Sequence, residues 1–150
     1  MEDQIQSAGN YYHTLDAKGR LIIPAKIREI LGEEIYIGRG AGGCLYVFNR
    51  EGVEAHVKKF EHLPIESDMK AKSIYRYYVQ NIQSYTMDKQ GRICLPPHVR
   101  KYSGLEKDVV LVTSAKNIEL WDRDKWEELN NIPFDELLPG GEAELANYLI

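Results

Sequence analysis

A chain of 150 residues with 43% hydrophobic and 28% charged residues carries enough apolar material for one buried core. It has no apolar run near the roughly 20 residues of a membrane helix, and residues 1–4 show neither the positive start nor the apolar stretch of a secretory leader, so a cytoplasmic protein is expected. The net charge of −4 argues against a nucleic-acid partner only if it is evenly spread.

The charge is not evenly spread. Residues 16–28 hold Lys18, Arg20, Lys26 and Arg28 against Asp16, and residues 86–101 hold Lys89, Arg92, Arg100 and Lys101 against Asp88, a net of +3 each. From Glu119 onward nine acids meet two bases. Two basic patches and an acidic C-terminal tail follow from this asymmetry. Cys44 and Cys94 stand far apart and are read as small core residues. The histidines His13, His56, His62 and His98 share no metal-ligand spacing, so no metal and no cofactor is expected.

In chain order, Asp16-Ala17-Lys18-Gly19 lies between apolar runs as a hairpin signal. The Asp can accept bonds from its own turn, and Gly19 supplies the positive φ. Arg20 leaves the turn at the start of the strand that continues through Leu21-Ile22-Ile23. Pro24 suits the first turn of a short helix with Ile27, Ile30 and Leu31 on its apolar face and Gly32 at its end. Two strands follow, around Ile35 and Val47. The glycine-rich stretch from Gly38 to Gly43 lacks the Lys-Ser/Thr of a phosphate loop and reads as a flexible hairpin connection between them. Val53, Val57 and Phe60, and then Ile74, Tyr77 and Tyr78, recur at helical spacing, with Leu63-Pro64-Ile65 between them. Tyr75, Tyr77 and Tyr78 alternate with Arg76, a pattern open to base stacking or to helical packing. The hairpin signal then returns as Asp88-Lys89-Gln90-Gly91-Arg92, with the strand Ile93-Cys94-Leu95 and a helix opened by Pro97, faced by Val99 and Tyr102 and ended by Gly104. A helix from Asp122 or Asp124 and a last short one over 142–149 complete the chain.

Residues 14–28 overlie residues 86–100 without a gap, and six of the fifteen pairs are identical: Thr, Asp, Gly, Arg, Pro and Arg. The match continues with Glu34-Ile35-Tyr36-Ile37 on Asp108-Val109-Val110-Leu111 and Leu45-Tyr46-Val47-Phe48 on Ile118-Glu119-Leu120-Trp121. The expected organisation is one pseudo-twofold domain over 1–150. A first half with its helix covers 9–63, a linking helix 64–83, a second half with its helix 84–131 and an acidic tail 132–150.

Thr-x-Asp-x-x-Gly-Arg-x-x-x-Pro, with an Arg further on, resembles the AbrB-type DNA-binding element. Two copies in a chain of this length, with Tyr12-His13-Thr14-Leu15 before the first and Ile118-Glu119-Leu120-Trp121-Asp122 after the second, resemble the MraZ family of transcriptional regulators. The resemblance covers roughly Gly9 to Trp126. It implies an α+β, mainly β fold, a swapped-hairpin AbrB-like barrel built from the two repeats with flanking amphipathic helices. It also implies a homo-oligomeric ring on the nucleoid, bound to double-stranded promoter repeats near cell-division and cell-wall genes.

Carried over by position, Arg20 and Arg92 are the candidates for DNA contact, Lys18 and Lys89 lie in the loops, and Arg28 and Arg100 match a basic position on the short helices. Asp16, Gly19, Asp88 and Gly91 form the turns. The chain departs from the AbrB pattern where His13-Thr14 and Tyr85-Thr86 stand in place of bases and where Glu29 follows Arg28. Arg20 and Arg92 could instead bridge to acids, and for Arg28 and Arg100 an ion pair competes with a DNA contact. An antitoxin-like interaction module on the same fold is the alternative function. Nothing in the motifs points to an enzyme or to a small-molecule substrate.

Overall fold

The structure is a computed structural model that describes residues 9–113 and 117–149; the leader reading of residues 1–4 lies outside them. Eight strands and seven α-helices are described in an α+β arrangement, with helix taking 40% and strand 27% of the residues. The first half gives β1 (Gly9–Thr14), β2 (Arg20–Ile22), α1 (Ala25–Leu31), β3 (Glu34–Arg39), β4 (Leu45–Phe48) and α2 (Arg50–Lys58). After α3 (Met69–Tyr75) come β5 (Gln83–Thr86), β6 (Arg92–Cys94), α4 (Pro97–Ser103), β7 (Asp108–Thr113), β8 (Ile118–Asp122) and α5 (Arg123–Asn130). The chain closes with α6 (Phe134–Leu137) and α7 (Gly141–Tyr148).

The strands are exchanged between the halves. β1 pairs with β7 and β5 with β3, so the six-stranded sheet runs β1-β7-β8-β4-β3-β5, while β2 and β6 pair only with each other. The registers have a twofold character. In the β2–β6 ribbon Leu21 faces Ile93, and Arg20↔Cys94 mirrors Ile22↔Arg92. Tyr46 faces Glu119 at the centre of β4–β8. Thr14↔Asp108 in one half answers Thr86↔Glu34 in the other. The core is drawn from both halves alike: Leu21, Ile23, Ile27, Ile35 and Leu45 with Ile93, Leu95, Val99, Val109 and Leu120. Burying aliphatic side chains of this size contributes roughly 1.5–3 kcal/mol each before the entropy of ordering is charged against it.

Local chemistry sets the helix ends. Pro24 and Pro96 precede α1 and α4, and Pro97 is the first residue of α4, where a missing N–H costs nothing. Gly104 ends α4 in the left-handed region with its N–H on Arg100 O. Ile27 and Leu31 are buried on α1, whereas Ile30 is exposed, because a seven-residue helix presents a narrower stripe to the core than Ile27, Ile30 and Leu31 together would need. Cys44 is buried, but Cys94 is exposed. Ile93 and Leu95 on either side of it are buried, so strand alternation turns it to solvent, which corrects the core assignment.

Between the halves, Asp68 Oδ1 caps α3 by accepting from Lys70 N at 2.8 Å. The linking helix begins there and not at 64, and from Arg76 to Gln80 it widens into a π-helical turn. Its tyrosines are used for packing: Tyr78 stacks on Phe60 at 5.5 Å, and Tyr77 covers one face of the Arg39 guanidinium at 4.2 Å while Tyr102 covers the other at 4.2 Å. His56 Nε2 meets Tyr78 O at 3.1 Å, and burial holds its ring below the ordinary imidazole value. Among the described residues no helix is long and apolar enough to cross a membrane.

Candidate nucleic-acid interface

Each hairpin loop is a closed unit of backbone and carboxylate. Asp16 Oδ1 accepts from Lys18 N at 2.9 Å and from Arg20 N at 2.8 Å, while Gly19 N donates to Asp16 O at 2.9 Å. The second loop repeats the pattern: Asp88 Oδ1 accepts from Gln90 N and Arg92 N, each at 2.9 Å, and Gly91 N donates to Asp88 O at 3.0 Å. Gly19 and Gly91 have φ of +79° and +75°, where a side chain would be strained. The backbone N–H of Arg20 is the first cause that holds the Asp16 carboxyl below its ordinary value, followed by the Arg20 side chain, and Arg92 does the same for Asp88.

The remaining oxygen of each aspartate takes the arginine. Arg92 Nε donates to Asp88 Oδ2 at 2.9 Å, and Arg20 Nε donates to Asp16 Oδ2. The acid partner considered for these arginines is therefore present, but it comes from the same loop and engages only Nε. The terminal Nη groups have no hydrogen-bond partner among the described residues, and both side chains stay partly exposed. A guanidinium held this way is oriented with its outer fork open.

The β2–β6 ribbon brings the two loops together. Ile23 N donates to Gly91 O and Leu95 N to Gly19 O, both at 2.9 Å, so each loop is bonded to the strand of the other half. Leu21 and Ile93 turn inward. Arg20, Ile22, Arg92 and Cys94 turn outward, with the two arginines on a diagonal of the ribbon, a spacing of roughly 7–8 Å. Lys18 and Lys89 are exposed in the loops, at neighbouring but non-equivalent turn positions.

Arg28 and Arg100 complete the face crosswise. A methyl group built on Gly91 would lie 2.6 Å from Arg28 Nη1, and one built on Gly19 would lie 2.7 Å from Arg100 Nε. Each helix arginine is thus laid over the loop of the opposite half. Arg100 Nε donates to Leu95 O at 3.1 Å. Neither arginine has a carboxylate within 4.0 Å among the described residues, so the ion pair weighed for them does not form within one chain. The resemblance puts Lys18, Arg20, Lys89 and Arg92 at the two loops and Arg28 and Arg100 on the short helices, but the crosswise placement of the helix arginines depends on strand pairing that no local pattern encodes. Among the described residues no group of three His, Cys, Asp or Glu side chains is arranged to hold a metal.

Strand-exchanged halves that each offer an aspartate-anchored basic loop to one ribbon define the class of swapped-hairpin α+β proteins. Residues 7–72 and 79–132 match the family described as "MraZ protein, putative antitoxin-like". The chain is 37% identical over 129 residues to the transcriptional regulator MraZ of Lachnoclostridium phytofermentans, covering 86% of this chain and 90% of that protein. It is 40% identical over 119 residues to the namesake from Acetivibrio thermocellus, covering 79% and 82%. The namesake from a Thermoanaerobacter species is 37% identical over 132 residues, covering 86% and 92%. The chain belongs to the MraZ family.

Proposed function

We propose that this chain is a sequence-specific DNA-binding transcriptional regulator that grips duplex DNA with the outward face of the β2–β6 ribbon. The observation that carries the reading is the open outer fork of Arg20 and Arg92, oriented by Asp16 and Asp88 and flanked by Arg28 and Arg100, which have no acid partner among the described residues. A planar fork can take a phosphate bidentately or read the O6 and N7 edge of guanine, while Lys18 and Lys89 add mobile charge. The names of the relatives support a regulatory role.

One ribbon offers few bases, so useful affinity requires several subunits on several DNA repeats. A homo-oligomeric ring on tandem promoter repeats, acting on the nucleoid at a cell-division and cell-wall gene cluster, is the assembly that fits this need. The test is binding of the protein to the DNA upstream of its own gene, with the mass of the complex measured alongside. Arg20→Ala or Arg92→Ala is expected to weaken binding by about 1–3 kcal/mol while the unfolding midpoint stays within that of other surface variants. Wild-type affinity in both variants would refute the assignment of the loop face. The antitoxin-like description of the family favours a second reading, a protein-docking module, which would retain its partner in a pull-down after nuclease treatment.

A further inference from the structure

The segment after α5 has no place in the core. No residue of α6 or α7 is buried; Phe134 is 54% and Leu137 59% exposed, and Tyr148 and Leu149 are more exposed still. Interleaved with these apolar side chains are Asp135, Glu136, Glu142 and Glu144, with no Lys or Arg from 133 to the end. The segment also begins where the family match stops, at residue 132. An exposed surface that is both apolar and uniformly acidic is suited to a partner that is apolar at its centre and basic around it.

The chain itself carries one such surface. On the outward face of the ribbon Ile22 is 51% exposed, next to Arg20 and Arg92, and the loops at the ends of the ribbon carry the exposed Lys18 and Lys89. A second exposed apolar shoulder, at Ile65 and Met69, mixes Glu66 and Asp68 with Lys72 and so lacks the basic surround of the ribbon face. Among the described residues no tail carboxylate pairs with a base of the same chain, and Glu144 instead accepts from Gly140 N at 2.7 Å. Two complementary surfaces left unpaired in one copy can meet as a head-to-tail contact between copies. We infer that the acidic, apolar segment of α6 and α7 docks on the loop face of a second copy of this chain and occupies it in competition with DNA. The competition rests on the reading of that face given above; the docking does not.

Cys94 makes the contact measurable, because it is exposed on the ribbon whereas Cys44 is buried. In an Ala146→Cys variant, mild oxidation is expected to join the introduced thiol to Cys94 of another chain, giving a dimer on a non-reducing denaturing gel that wild type and the Cys94→Ser control lack. Saturating duplex from the gene's own upstream region should suppress that dimer. A monomer with an internal disulfide, or no dimer above the controls, overturns docking on a second copy. A dimer that forms while wild type fails to bind DNA upholds the docking and removes the DNA reading; one that persists in a DNA-bound sample overturns the competition.

Charge alone is separated from docking by a second pair of variants. Truncation after residue 132 removes acids and apolar side chains together, whereas Phe134→Ala/Leu137→Ala/Tyr148→Ala leaves the charge unchanged. Both are expected to tighten DNA binding by about three- to tenfold at low salt, with the difference shrinking as salt rises. Tightening in the truncation only would show general repulsion and overturn the docked state.

Discussion

The surroundings of the two loop glycines depart from the twofold character of the loops, and that difference supports a quantitative prediction. Gly19 and Gly91 occupy equivalent turns with nearly equal φ, so an alanine at either site meets the same left-handed penalty of roughly 1–2 kcal/mol. Their surroundings differ. At Gly91 the new methyl would press on Arg28 Nη1 at 2.6 Å, the far end of a side chain that can swing outward. At Gly19 it would meet Arg100 Nε at 2.7 Å and also Leu95 O at 2.9 Å, a backbone oxygen fixed by the β2–β6 ribbon and bonded to that same Arg100. Crowding against a fixed group adds about 1–3 kcal/mol. Gly19→Ala is therefore expected to cost about 2–5 kcal/mol and Gly91→Ala about 1–2 kcal/mol. Urea unfolding of both variants at one protein concentration, read as the midpoint shift at unchanged slope, measures the difference. Equal losses, or a larger loss at Gly91, would refute the claim that Leu95 O makes the first loop the more tightly closed.

Three further outcomes follow from charge and packing. Because Asp16 titrates below its ordinary 3.8 in the folded loop, its contribution is complete above about pH 4 and lost as pH falls through the lower folded value; Asp16→Asn should flatten that acid limb in a pH series of unfolding midpoints. Burial holds His56 below 6.5, so the unfolded chain takes up the proton first and stability should fall as pH drops below 6.5, a slope that His56→Phe should remove. Arg39 lies between the Tyr77 and Tyr102 rings with its buried Nε unpartnered among the described residues, so Arg39→Ala should cost on the order of 2 kcal/mol in denaturant unfolding, and Arg39→Lys should recover only part of it.

How far the sequence discloses this arrangement depends on the range of the interaction involved. The turns are set by four residues that bond to one another, so Asp16, Gly19, Asp88 and Gly91 are legible from their spacing. The alignment of Thr14 on Thr86 and of Glu34 on Asp108 reappears as the pairs Thr14↔Asp108 and Thr86↔Glu34, because equivalent strands in a twofold register must cross in equivalent ways. Distant partners are different. Nothing local tells Arg28 to lie over Gly91 and not over its own Gly19, since that choice is made when β2 pairs with β6. Cys94 was misplaced for a related reason. Its strand reads as three apolar residues in a row, and only the pairing with Arg20 shows which face is wet. α6 escaped notice because Pro133 and the short Phe134–Leu137 run give one helical turn no periodicity to detect.

The aspartates bear on the proposed DNA face, since a carboxylate beside an arginine that is to meet DNA should weaken binding. Two effects oppose each other. The negative charge repels phosphate, but screening confines that repulsion to about 8 Å at physiological salt, and the charge already serves two backbone N–H groups and one Nε. Against it stands the orientation of a side chain that otherwise carries about 2 kcal/mol of rotamer entropy into the complex. Repulsion acts on any duplex, whereas orientation matters only where the fork must meet a particular base edge. Asp88→Asn removes the charge and weakens the anchor, so it should tighten binding to random duplex and narrow the gap between the operator and random sequence. Anisotropy titrations on both duplexes at two salt concentrations measure that ratio. An unchanged ratio would mean that Asp88 shapes the turn and takes no part in aiming Arg92.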